Sequence, residues 1–233
     1  MAQRPSYVWG NDKKPQDMDL MTPEQLDTIF LAAQKGDLFA YFGYGSLVNR
    51  DTHRTEIYGA VRARVRGWRR HWQGRPQHGD NPISLLSVKA ESDPDHELPG
   101  LLVFDRIENL GALDEREFNY HRRTVEAGAI VLPVELSMEA PVFIYEGKPE
   151  VAPGTDHAIL QSYLDAVLQG YLLEYGEDEV RRFIADTHAF DHTPIIRDRH
   201  EPRYMRPVAW RAEEAQLFDE ALAANGVKYR EMA

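Results

Sequence analysis

The chain contains no cysteine. Disulfides, thiolate metal sites and a cysteine nucleophile are therefore excluded, and the composition fits a reducing compartment. Long apolar runs are lacking too. None approaches the roughly 20 residues of a membrane span, and the N-terminal stretch MAQRPSYVWGNDKKPQDMD has no apolar core of the signal-peptide kind. Positive charge is in short supply, with 27 Lys and Arg against 38 Asp and Glu and a formal net charge of −11. That balance disfavours nucleic acid and anionic membranes as partners. These absences predict a soluble, cytoplasmic protein.

What is present is a chain of 233 residues, 42% hydrophobic and 10% aromatic, able to bury a sizeable core without covalent staples. No internal repeat is visible. Residues 1–37 read as an N-terminal extension with one helix, 38–190 as the main domain, and 191–233 as a C-terminal loop and helix packed on it. Thr22-Pro23-Glu24-Gln25 is a helix start: Thr22 can cap, Pro23 suits the first position and Gln25 completes a capping box. Leu26, Ile29, Phe30 and Ala33 form its apolar stripe, and Gly36 marks the stop. Six strands are expected, at Leu38 to Tyr44, Ala60 to Trp68, Ile83 to Lys89, Gly100 to Asp105, Thr124 to Leu132 and Pro141 to Glu146. Ala112 to Asn119 has room for two helical turns. Longer helices follow at His157 to Leu173, Glu177 to Asp186 and Ala212 to Ala224. Strands first and helices later predict an α+β fold, with a small mixed or mainly antiparallel sheet curled toward a barrel. Thr187 to Val208 reads as a long loop, of a length that implies function or packing across a groove.

One basic stretch runs against the acidic background: Arg62, Arg64, Arg66, Arg69, Arg70 and Arg75 in RARVRGWRRHWQGR. Interleaved Trp68 and Trp72 would suit stacking on nucleic-acid bases. The simpler reading is a strand with Val61, Ala63 and Val65 inward and the arginines on its wet face.

The stretch FAYFGYGSLVN, residues 39–49, ends an aromatic strand in Gly-x-Gly-Ser. A dinucleotide fingerprint fails because Val48 stands at the third glycine position, and a P-loop fails for want of Gly-Lys-Ser/Thr. A nucleophile elbow fails because Tyr44 and Val48 flank Ser46 where glycines are required. A tight turn and a nest of backbone N–H groups holding an anion such as a carboxylate remain. Glycine would allow positive φ angles and close approach of a ligand. Farther on, LDEREFNY places Glu117 one helical turn after Leu113 and Asp114. A carboxylate beside apolar side chains has a raised pKa and can shuttle protons near neutral pH. The alternative is a solvated helix face paired with Arg116, Arg122 or Arg123.

Taken in order, Tyr44-Gly-Ser-Leu47, Leu113-Asp-x-x-Glu117-x-x-Tyr120 and the helix Gln161-Ser-Tyr-Leu-Asp-Ala-Val-Leu-Gln-Gly170 resemble the gamma-glutamylcyclotransferase-like (ChaC-like) family, over about Leu38 to Gly176. The resemblance implies an α+β fold with a pocket at the Tyr-Gly-Ser loop. It implies release of 5-oxoproline and a free amine from a small γ-glutamyl amine or peptide, with no metal or nucleotide cofactor. Glu117 would be the acid–base residue. The turn Tyr44, Gly45, Ser46 and Leu47 would cradle the γ-glutamyl moiety through backbone N–H groups, and Tyr163 would line the pocket. Some members carry Asn where this chain has Leu47, so contacts there differ. A non-catalytic small-ligand-binding module of the same fold is the alternative. Arg199 and Arg203, in the stretch Asp198 to Tyr204, would either bind a carboxylate on the leaving amine or knit the loop to the body. His188, Asp191, His192 and His200 show no spacing that fixes a metal site.

Overall fold

The computed structural model describes residues 22–53, 56–74, 83–133, 141–148 and 157–230. The readings of the N-terminal arm and of Arg75 lie outside the described residues. Helix α1, Pro23–Gln34, carries the expected capping box: Gln25 N donates to Thr22 Oγ1 at 3.3 Å, and Thr22 N donates to Gln25 Oε1 at 2.8 Å. Its stripe of Leu26, Ile29, Phe30 and Ala33 is buried, with the Phe30 ring 5.5 Å from that of Phe104.

The strands are β1 Leu38–Gly43, β2 Gly59–Arg66, β3 Trp68–Gly74, β4 Ser84–Ala90, β5 Glu97–Arg106, β6 Tyr120–Val125, β7 Ile130–Val131 and β8 Val142–Gly147, with the short helix α2, Leu110–Arg116, between β5 and β6. Among the described residues the main sheet has six strands in the order β6-β8-β1-β5-β2-β7. It is mixed: β1 runs parallel to β8 and antiparallel to β5. β1 is buried along its whole length, as a central strand covered on both faces must be.

The expected single strand from Thr124 to Leu132 is instead two. β6 forms one edge of the sheet and β7 the other, joined through a short 3₁₀ turn at Ala127–Ala129. In a flat six-stranded sheet those edges would stand about 24 Å apart. The five steps from Val125 to Ile130 span at most about 18 Å. The sheet must therefore curl to bring its edges together. Among the described strands no pairing closes it, which leaves an open sheet curled toward a barrel, as expected.

The expected strand Ala60 to Trp68 also divides. Gly67 has φ +82°, which turns the chain from β2 into β3, and β3 pairs with β4 as a separate two-stranded sheet. On β2 the inward residues alternate as expected, with Arg62, Arg64 and Arg66 on the wetter face. Arg70 does not follow suit. It is buried, with its guanidinium 4.3 Å from the Phe183 ring and 5.0 Å from that of Tyr171.

The C-terminal half is helical: α3 Gln161–Tyr175, α4 Glu177–Asp186 and α5 Ala212–Ala224. Three two-residue strands, β9 Ile159–Leu160, β10 Ile195–Ile196 and β11 Tyr229–Arg230, tie the start of α3 to the tail in parallel pairs. Arg199 reaches Asp165 on α3 through two hydrogen bonds, 2.7 and 3.0 Å, and Asp219 on α5 through two more at 2.9 Å. Of its two expected roles, the structure assigns Arg199 the second, knitting the loop to the body. No helix among the described residues is long and apolar enough to cross a membrane.

Candidate active site

After β1 the chain enters a 3₁₀ turn, Ser46–Val48, with Gly45 at its N-cap. Val48 N donates to Gly45 O at 3.0 Å, the first internal bond of the turn. The amides of Ser46 and Leu47 precede that bond, so the turn itself does not use them. Neither Gly43 nor Gly45 adopts a positive φ, which corrects one expected role of these glycines. What they supply is space. A Cβ on Gly43 would stand 2.8 Å from Leu47 Cβ, and one on Gly45 would stand 3.2 Å from the Tyr163 hydroxyl.

The turn is fastened to α3. Gly170 lets the helix approach so closely that a Cβ there would lie 2.6 Å from Asn49 N. Asn49 Nδ2 donates to Ala166 O at 2.9 Å and to Gln169 Oε1 at 3.0 Å, and Arg50 Nε donates to Glu174 Oε1 at 2.6 Å. The Tyr171 hydroxyl, shared between the carbonyls of Tyr44 and Pro99 at 2.8 Å each, holds the base of the turn. His53 Nε2 donates to Leu47 O at 3.0 Å, leaving Nδ1 to accept from Tyr41 at 3.4 Å. Burial pulls the His53 imidazole down to about 4, so it is neutral near pH 7, with both ring nitrogens engaged by Leu47 O and the Tyr41 hydroxyl.

Glu117 caps the C-terminus of α2, its N–H donating to Leu113 O at 2.9 Å. Its carboxylate Oε1 lies 3.0 Å from Arg116 Nε, with side-chain exposures of 13% and 11% for the two residues. Arg122 and Arg123 go elsewhere, to Asp114 at 2.7 Å and Glu146 at 2.6 Å. Burial raises the Glu117 carboxyl above its ordinary value against the opposing charges of Arg116 and Arg206. The ion pair and the raised pKa thus coexist, and burial is the larger effect.

The phenols around Glu117 are held neutral. Burial first, with the Glu117 charge among further causes, raises Tyr44, Tyr145 and Tyr163 well above the ordinary tyrosine range. The Tyr44 hydroxyl donates to Tyr145 O, and the Tyr145 hydroxyl donates to Asp114 at 2.8 Å. The structure therefore brings Glu117, Tyr44, Gly45 and Tyr163 into one neighbourhood. Leu47 is buried, and Ser46 is partly exposed at its edge.

Sequence reasoning gave no role to two contributors here and placed a third in a different setting. Tyr204 stacks edge-on against Tyr163 with ring centres 5.1 Å apart, Arg206 acts electrostatically on both Glu117 and Tyr163, and Arg116 pairs with Glu117. The tail residues stand about 40 positions from Tyr163 and carry no motif; only Arg116 was named as a partner, and then as part of a solvated face.

A cavity of about 370 Å³ opens beside α2, lined by Tyr41, His53, Asp105 and Arg116 among others. A groove of about 450 Å³ lies along β2 at Arg62, Arg64 and Tyr175. Neither of these two is lined by Glu117, Tyr163 or the Tyr44–Leu47 turn, whose residues are linked here by contacts and shared electrostatics. Among the described residues no group of three His, Asp or Glu side chains is placed to hold a metal ion.

No family model and no curated protein sequence matches the chain. Among solved structures, a protein described as gamma-glutamyl cyclotransferase is 15% identical over 78% of this chain and 99% of its own, with a TM-score of 0.47. A human protein solved as uncharacterized is 16% identical over the same shares, with a TM-score of 0.49. A yeast gamma-glutamyl cyclotransferase described as specific to glutathione is 15% identical over 81% of this chain and 96% of its own, at 0.41. Two of these bear the family name to which the three sequence motifs point. At such scores the likeness carries nothing about the site.

Proposed function

We propose that this protein is a γ-glutamylcyclotransferase-type enzyme that releases 5-oxoproline and a free amine from a γ-glutamyl amine or peptide. The observation that carries the reading is the Glu117 carboxyl, 13% exposed and raised by desolvation, set among neutral tyrosines next to a turn whose leading amides are not used internally. The substrate's own α-amine attacks its γ-carbonyl, so the protein needs no nucleophile. As the ring C–N bond forms, the ionised Glu117 takes a proton from the attacking amine. As the bond to the leaving nitrogen breaks, Glu117 returns that proton to it. One carboxyl with a raised pKa serves both steps, and such a shuttle is worth roughly 10²–10⁴ in rate. The amides of Ser46 and Leu47 orient the amino-acid end for ring closure, and an N–H of the turn is the donor to the oxyanion. Tyr163 bounds the site on the α3 side.

The test is Glu117→Gln. We expect circular dichroism of the parental kind and a loss of 5-oxoproline release of at least about a hundredfold. Release at the parental rate would sink the mechanism. γ-Glutamyl-alanine, γ-glutamyl-ε-lysine and glutathione form the substrate panel. Thermal stabilisation of the parent protein by these compounds or by 5-oxoproline, with turnover of none, would identify a binding module instead.

A further inference from the structure

We infer that the cavity of about 370 Å³ beside α2 is a second ligand site, which takes the carboxylate and ammonium of a small α-amino acid with an apolar side chain. Neither Glu117 nor the Tyr44–Leu47 turn lines it, and the inference does not depend on the reaction proposed above. Its volume falls within the roughly 300–1,000 Å³ of small-molecule sites. Tyr41 of β1, Asp105 near the end of β5 and residues of α2 form its walls, so side chains far apart in the sequence meet there.

Two opposite charges line this cavity without pairing with each other. Asp105 is 3% exposed, and its Oδ1 accepts from Asn109 Nδ2 and from Arg106 N at 2.7 Å each. Among the described residues no cation lies within 4.0 Å of its carboxylate. Burial accordingly raises the Asp105 carboxyl against those two hydrogen bonds. Arg116 is in a similar condition. Its Nε stands 3.0 Å from Glu117 Oε1, yet Nε and Nη2 are both buried without a directed hydrogen bond. Tyr41 feels both charges, Arg116 favouring its ionised form and Asp105 opposing it.

Buried polar groups without partners are costly. A guanidinium takes a carboxylate through paired hydrogen bonds, and an ammonium is the matching partner for Asp105. A ligand with both groups on one carbon answers both needs and adds no net charge. Glu115, which is exposed, also lines the cavity. Carboxylates there outnumber the guanidinium, which disfavours a ligand that is only an anion. His53, neutral near pH 7, adds no charge. Ala112, Leu113 and the Tyr41 ring supply the apolar wall for the ligand's side chain.

The test is calorimetry with L-leucine and two comparators: 4-methylpentanoate, which lacks its ammonium, and 3-methylbutylamine, which lacks its carboxylate. We expect the parent chain to bind leucine at least about tenfold more tightly than either, the scale of a charge-assisted hydrogen bond. Asp105→Asn should reduce leucine to the level of 4-methylpentanoate, and Arg116→Gln should reduce it to that of the amine. Ala112→Phe changes no charge and fills the cavity from an exposed position of α2. It should abolish leucine binding and leave the thermal midpoint near the parental one. Absence of leucine binding, equal affinity for leucine and either comparator, or leucine binding that survives Ala112→Phe overturns the assignment. So does leucine affinity unchanged in folded Asp105→Asn and Arg116→Gln. None of these outcomes touches the cyclotransferase reading, which Glu117→Gln and 5-oxoproline release decide.

Discussion

Glu117 shows how one side chain reconciles two readings that look exclusive on paper. It is ion-paired to Arg116 at 3.0 Å and still holds its proton more tightly than an ordinary glutamate, because burial outweighs the pair. The linkage has a definite sign. A carboxyl whose folded pKa exceeds its unfolded value favours the folded state below the unfolded value, and that contribution is lost as pH rises through the folded pKa. Thermal melts from about pH 4 to 7 should therefore show Glu117→Gln gaining stability relative to the parent as pH rises. Loss of the Arg116 pair sets the offset between the two curves, not the trend. A difference that is flat or runs the other way would show that Glu117 is not raised. The acid limb of kcat/KM should correspondingly lie above the ordinary glutamate range. His53, held at about 4, leaves that limb to Glu117.

At the scale of elements, local chemistry and long-range packing divide cleanly. The capping box of α1 and the bounds of α4 and α5 follow from residues within a few positions of one another, and the structure reproduces them. The basic stretch was only half legible. The alternation on β2 holds, but the turn at Gly67 and the burial of Arg70 depend on aromatic faces from α3 and α4. β9, β10 and β11 are two residues each, too short for any periodicity to be read. The contact of α3 with the 3₁₀ turn yields a prediction of its own. In Gly170→Ala the new methyl would stand 2.6 Å from Asn49 N and 2.9 Å from its Cα. Backbone must move, at a cost of about 1–3 kcal/mol. Urea denaturation should register that loss, and γ-glutamyl binding should weaken as the turn shifts.

For the molecule as a whole, the C-terminal stretch expected to pack on the main domain contributes side chains to the shared core. Phe218 and Leu222 of α5 belong to the same buried cluster as Phe39 and Tyr41 of β1. β10 joins the tail to β9 through backbone pairing. We expect one cooperative transition, with far-ultraviolet dichroism and tryptophan fluorescence coinciding in urea. Removing residues 191–233 should abolish that transition, since it strips α5 from the core. A truncated chain that unfolds cooperatively near the parental midpoint would show the tail to be independent.

The sequence by itself determined the α+β class, the capped helices, the aromatic strand ending in Gly-Tyr-Gly-Ser and the glutamate that follows Leu-Asp by three positions. Each of these depends on spacing along the chain, and spacing is what a sequence records. The tertiary structure decided which cations surround Glu117. Arg199, read either as a carboxylate binder or as a knit between loop and body, is tied to Asp165 and Asp219, and Arg206, two residues past the stretch singled out, stands in the site's field. That exchange has no local signal. It follows from the Asp198–Ser162 anchor on α3 and the stacking of Tyr204 on Tyr163, contacts between residues about 40 positions apart. Electrostatic partnership depends on distance through space, which is fixed only once the tail lies across the helix.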